Sequence, residues 1–303
     1  MLRISRLPNR AREWINDRLH LQDFRERVTL RLSRRPLLLI YQMGKVGSQT
    51  IEATLRAAGL PHRIWRGHVL SPEQERTFGT WLEDPSVSEV TRASLRNQLN
   101  EARRVYHTVT LHKSSRGLNQ RKLDVVVGVR EPVGLLLASI FQNYPNYFRS
   151  LSEMTTTACR SVLLMAGSGG HARNQRICDT IDYVHRWFDV ELRGVLGIDV
   201  YAQPFEHSQG YAIYENSFAR VLVYRYENFG AIGPILAEFL GTTLPTLVNR
   251  NIGAEKDYGT LYGEIKQRLR LPAEFLAQQY GSRLAQHFYT PRELDHLAAR
   301  WRQ

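Results

Sequence analysis

Cysteine is almost missing from this 303-residue chain: Cys159 and Cys178 are the only two. A pair of thiols in so long a chain makes no disulfide framework, and a reduced, cytoplasmic protein is expected. Long apolar runs are missing too. Leu37 to Tyr41, the longest near the N-terminus, is far too short to span a bilayer. Met1 to Arg35 is charged throughout and has no apolar h-region, so no signal peptide is expected. The chain has no internal repeat and no low-complexity tract. It has no ligand cluster with metal spacing either, so no metal is expected.

Acidic residues are scarce relative to basic ones, 29 against 41, which leaves a net charge of +12. Half of that excess, +6, sits in residues 1–35, with ten arginines and four acidic residues. Such an excess fits an anionic ligand, an acidic polymer or a membrane surface without choosing among them. Residues 10–34 read as a basic helix. It either packs through Trp14, Ile15, Leu19 and Phe24, or lies peripherally on anionic lipid at the inner face of a membrane. With 43% hydrophobic and 23% charged residues, the remainder is an ordinary globular composition.

Pro36 ends the basic segment, and Leu37–Tyr41 reads as a buried parallel strand feeding a helix that starts near Ser48. Ile51, Leu55 and Leu60 fall on that helix's inner side. A short strand is expected within 61–69, and Ser71-Pro-Glu-Gln74 opens another helix with capping-box spacing. Residues 88–104 read as helix. Val105 to His112 alternates, is rich in β-formers and reads as strand. Further strands are expected at Asp124–Val129 and Val221–Arg225, and helices after Glu131, over 172–196, over 229–240 and from Pro272, with a helix start at Thr290-Pro-Arg-Glu293. Alternating strands and helices predict an α/β, P-loop-like three-layer fold with a central, mainly parallel sheet. The expected division is an extension over 1–35 and one α/β domain over 36–303.

The most informative segment is Tyr41-Gln-Met-Gly-Lys-Val-Gly-Ser-Gln-Thr50. Gly44 and Gly47 let backbone N–H groups turn toward an anion. The helix start adds unpaired donors, Lys45 a cation, and Ser48 and Thr50 hydroxyls. Phosphate binding by residues 44–50 (Gly44, Lys45, Val46, Gly47, Ser48, Gln49, Thr50) is the chemistry expected. A Walker A loop places its lysine directly after the last glycine; here Lys45 precedes Gly47. The order Lys-x-Gly-Ser after an apolar strand instead resembles the 5′-phosphosulfate loop of sulfotransferases that use 3′-phosphoadenosine 5′-phosphosulfate (PAPS).

A second block, Val125-Val-Val-Gly-Val-Arg-Glu-Pro-Val133, resembles the 3′-phosphate motif of the same superfamily. By that resemblance Arg130 and Ser139 would hold the 3′-phosphate. An arginine fork pairs bidentately with phosphate and stays charged. The family's serine usually stands eight residues after the arginine; here that position is Ala138, and Ser139 lies about 100° further round a helix. A third block, Asn251 to Tyr262 with His287-Phe-Tyr-Thr290 and Trp301, is similar to the tail of a bacterial sulfotransferase-like family labelled capsular polysaccharide synthesis proteins. That family's opening block also matches Gln42–Ser48. Asn251 and Lys256 are the residues the resemblance implies for a loop closing over the nucleotide.

The function so implied is PAPS-dependent sulfonyl transfer to a hydroxyl, with Lys45 at the leaving oxygen and no nucleic-acid partner. On family analogy the acceptor is a sugar or glycolipid. Three residues could be the general base: His112, which resembles the histidine strand end of cytosolic sulfotransferases; His68, placed where heparan-type enzymes carry a glutamate; and Glu52. Histidine suits the task because it titrates near neutrality. Ala166–His171 reads as a connector, and Glu227 as a structural residue. Two alternatives remain. A P-loop kinase or NTPase needs an acidic strand end for Mg²⁺, whereas the strand Val125–Val129 ends in Arg130. A non-enzymatic basic protein on nucleic acid or membrane suits the N-terminal arginines.

Overall fold

A computed structural model describes residues 35–85, 87, 89–114, 122–165, 181–248 and 257–302. The N-terminal basic segment, the connector 166–171, Asn251 and Lys256 lie outside the described residues.

Five strands form one mixed sheet in the order β2-β1-β3-β5-β4. They are β1 (Leu37–Tyr41), β2 (Arg63–Gly67), β3 (Leu123–Val129), β4 (Tyr211–Glu215) and β5 (Ala219–Arg225). Four run parallel; β4 pairs antiparallel with β5. β1 and β3 lie inside the sheet and are buried on both faces apart from the half-buried Asp124, which explains why Leu37–Tyr41 and Val125–Val129 are apolar runs rather than alternating patterns.

Period two still sorts their side chains. Leu38, Ile40, Val126, Leu222 and Tyr224 point to one face, covered by α1 (Ser48–Ala57) through Ile51 and Leu55 and by α6 (Ile232–Leu240) through Ile232, Leu236 and Phe239. Leu37, Leu39, Tyr41, Val125, Val127, Val221 and Val223 point to the other. That face is covered by α4 (Pro132–Gln142), α5 (Thr156–Leu164), a π-helix (Phe188–Leu196) and the C-terminal α7 (Gly259–Arg268), α8 (Ala273–Tyr280), α9 (Arg283–Phe288) and α10 (Pro291–Trp301). The three-layer α/β expectation therefore holds.

Two helix starts form as their sequences predict. Ser71 caps α2 (Pro72–Glu83) by accepting from the Gln74 N–H at 3.2 Å. Thr290 and Glu293 close a full capping box at α10. One expectation fails: Val105–His112 is not a strand but the second half of α3 (Glu89–Ser114). Its β-formers are read correctly at the helix period, because Leu95, Leu99, Val105 and Val109 are all buried. The β4 edge strand and the π-helical winding of 188–196 were not anticipated. Among the described residues no helix is long and apolar enough to cross a membrane.

Candidate functional site

The loop leaving β1 turns on left-handed backbone. Gly44 has φ 90°, Lys45 φ 56° and Gly47 φ 85°. Lys45 is the one non-glycine among the described residues with positive φ, a conformation that costs roughly 1–2 kcal/mol for an L-residue. Gly47 is needed for space as well. A Cβ there would lie 2.3 Å from Phe229 Cε2. Val46 is fully buried and its carbonyl accepts from the Tyr224 hydroxyl, which in turn accepts from Gln42 Nε2 at 3.1 Å. Ser48 and Thr50 are buried at the start of α1, while Gln49 is exposed.

Arg130 leaves the carboxyl end of β3 and reaches this loop. Its Nη1 donates to the Lys45 carbonyl at 3.1 Å and its Nη2 to the Tyr262 hydroxyl at 3.4 Å, with the guanidinium centre 4.6 Å from the Tyr226 ring centroid. The two separated motifs thus meet at the carboxyl ends of neighbouring parallel strands, β1 and β3. Burial alone would ease the proton from Arg130, but the side chains of Tyr262, Tyr226 and Glu131 outweigh it and hold the guanidinium charged.

The frame around Arg130 is built from carboxylates. Glu131 caps α4 by accepting from Gly134 N–H at 2.7 Å and also takes the Tyr280 hydroxyl at 2.9 Å. Glu227 accepts from the Glu131 N–H at 3.0 Å and from the Tyr289 hydroxyl at 2.8 Å, so it ties this corner to the C-terminal helices. Ser139 is half-buried two turns into α4, and no hydrogen bond among the described residues joins its hydroxyl to Arg130 or to the loop.

Sequence reasoning missed Lys266, Tyr226 and Tyr262. Lys266 stands 5.8 Å from the Tyr262 ring centroid. Burial, then Arg300 and Arg130 nearby, lower its pKa, while Glu131 and Glu227 act the other way. Tyr226 opens the 3-10 helix that follows β5, and Tyr262 and Lys266 come from α7; no local sequence signal records the placement of either beside Arg130.

The three candidate bases separate. His112 ends α3, with its ring 5.9 Å from that of Phe218. Phe218 accepts from Leu123 N–H at the amino end of β3. A strand of that length puts His112 roughly 20 Å from the Lys45 loop, at the wrong end of the sheet. Its reading as a strand-end histidine is therefore corrected: α3 carries it away. Glu52 is held by Arg56 at 2.9 Å and Arg66 at 2.8 Å. His68 follows β2 at the carboxyl end, beside the loop. Its Nδ1 lies 2.8 Å from the Gln42 carbonyl, which can only accept. Nδ1 therefore carries the hydrogen and Nε2 the lone pair. Burial lowers the pKa of His68, the bond to Gln42 opposes this, and Arg66 and Lys45 lower it further.

Among the described residues no group of three or more His, Cys, Asp or Glu side chains could hold a metal ion. Neither curated proteins nor solved structures return a match to this chain. A family model described as "Putative capsular polysaccharide synthesis protein" matches residues 175–290, which carry the π-helix, β4, β5, α6, Glu227 and Lys266 but neither Lys45 nor Arg130.

Proposed function

We propose that this chain is a transferase that moves the sulfonyl group of PAPS to an acceptor hydroxyl. What supports the reading is the bond from Arg130 to the Lys45 carbonyl, which brings the two candidate phosphate-binding segments together at the carboxyl end of the sheet. The capsular family description supports a transferase acting on a carbohydrate or glycolipid.

The residues present suit a doubly phosphorylated adenosine. Left-handed backbone at 44, 45 and 47 opens the loop's N–H groups, and the start of α1 adds donors, so residues 44–50 would hold the 5′-phosphate. Arg130 would hold the 3′-phosphate, joined by Lys266. When bound, PAPS supplies an activated sulfonyl group with a phosphate leaving group. Lys45 would neutralise charge growing on the leaving oxygen. His68, kept neutral with its lone pair on Nε2, would take the acceptor's proton.

Three ligands separate this reading from its rivals in one thermal-denaturation series. Adenosine 3′,5′-bisphosphate (PAP) alone should stabilise the chain, since a ligand that binds the folded state adds stability. Stabilisation by ATP–Mg²⁺ but not PAP would favour a P-loop NTPase, and stabilisation by an oligonucleotide alone a basic binding protein. Labelled PAPS, offered with hexoses, hexosamines and lipid-linked hexoses, then finds the acceptor. Lys45→Ala should abolish transfer; full retention would refute the role given to Lys45.

A further inference from the structure

Behind His68 lies a buried carboxylate that none of this chemistry uses. Glu191, in the π-helix, is fully buried. Its Oε2 accepts from the Tyr41 hydroxyl, from Leu70 N–H at 2.7 Å and from Ser71 N–H at 2.9 Å. Its Oε1 accepts from the Ser71 hydroxyl and the Tyr183 hydroxyl, both at 2.7 Å. An ionised carboxylate is an acceptor only, and these donors fill both of its oxygens. Trp187, also fully buried, stands one turn before Glu191. It donates Nε1–H to the His68 carbonyl at 3.1 Å and packs edge-on against Tyr41 at 5.0 Å.

Three backbone atoms of one four-residue stretch are therefore gripped from the same helix: the His68 carbonyl and the N–H groups of Leu70 and Ser71. That stretch begins with the histidine whose ring rests on the Gln42 carbonyl. π-Helical winding is rare and recurs at functional sites. Here Glu191 lies within the π-helical segment and Trp187 immediately precedes it, and both bond residues 68–71.

We propose that Glu191 and Trp187 are positioning residues for His68, fixing residues 68–71 so that its imidazole keeps the hydrogen bond to Gln42 beside the Lys45 loop. The proposal rests on the reading of His68 as the general base. Neither residue touches the reacting atoms; each acts through the backbone of 68–71.

The test uses Glu191→Gln and Trp187→Phe in the full chain, with Thr155→Ala as a control that loses a helix cap elsewhere. Long-range ¹H–¹⁵N spectra of the histidine rings, assigned with His68→Gln, report the tautomer without any turnover. The wild type should show Nδ1–H at His68, and the two variants a shift toward Nε2–H. With the best acceptor of the panel above, kcat should fall at least about tenfold while KM for PAPS and affinity for PAP stay within about twofold, because neither variant alters a residue assigned to the nucleotide. The control should keep both the tautomer and kcat. An unchanged tautomer in the folded variants would overturn the proposal, as would losses of kcat that merely follow losses of Tm. Should Glu191→Gln fail to fold, Trp187→Phe carries the test, since it keeps an aromatic ring in place. Full turnover by His68→Gln would remove the base reading itself, whereas the spectra judge the positioning separately.

Discussion

Lys45 holds a backbone conformation that suits glycine better, and the strain sits on the residue assigned to the chemistry. Lys45→Gly should consequently be more stable than Lys45→Ala, by about 1 kcal/mol in denaturant unfolding, although neither should transfer sulfonyl groups. Gly47→Ala combines positive φ with a 2.3 Å approach to Phe229. It should cost about 1–3 kcal/mol and weaken PAP binding, read by thermal denaturation with and without PAP. Arg130→Lys retains charge but loses the fork that reaches both Lys45 and Tyr262. Its affinity for PAP, measured calorimetrically, should drop on the order of tenfold. Ser139→Ala should change that affinity little, since the described hydrogen bonds leave its hydroxyl apart from Arg130.

Elements explain why local reading succeeded in some places and failed in others. The β1 and β3 strands were legible because strands buried on both faces are apolar along almost their whole length, Asp124 being the one charged residue in the two. Caps at Ser71 and Thr290 were legible because their donors and acceptors lie within three residues. Thr290→Ala should lose about 1 kcal/mol in equilibrium unfolding, as the capping box opens. The second half of α3 was misread because Val, Thr and Tyr carry strand propensity. The burial of Val105 and Val109 against the sheet overrides that weak preference. That error placed His112, one of the three candidate bases, at an apparent strand end. His68, the base proposed instead, draws its neighbours Gln42, Trp187 and the Lys45 loop from other parts of the chain.

At the scale of the molecule, the site lies where the parallel strands end and several distant segments converge. Burial lowers the pKa of His68, His185 and His287 from the ordinary 6.5. The unfolded chain therefore binds protons in a window where the folded one does not. The contribution of these histidines is full above pH 6.5 and falls as pH drops through 6.5 toward the folded values, while buried Glu131, whose pKa is raised, opposes part of that fall at the acid end. Denaturant midpoints taken between pH 7.5 and pH 5 should decrease, and His185→Gln should flatten part of that decrease. Saturation with PAP at about a hundred times its Kd should add roughly 2.7 kcal/mol, less at high salt, because the residues proposed to hold its phosphates include the cations Lys45, Arg130 and Lys266.

The sequence by itself determined the layered α/β class, the loop at Gly44–Thr50, the arginine at the end of β3 and the helix caps. Each of these is written in the hydrophobic period or in residues a few positions apart. Only the tertiary structure decided which histidine stands beside the loop, that Arg130 reaches the Lys45 carbonyl, and that Lys266, Trp187 and Glu191 gather around them. The physical reason is separation along the chain. The Tyr41–Glu191 bond spans 150 residues and the Arg130–Tyr262 contact 132, and no local pattern records a partner that far away.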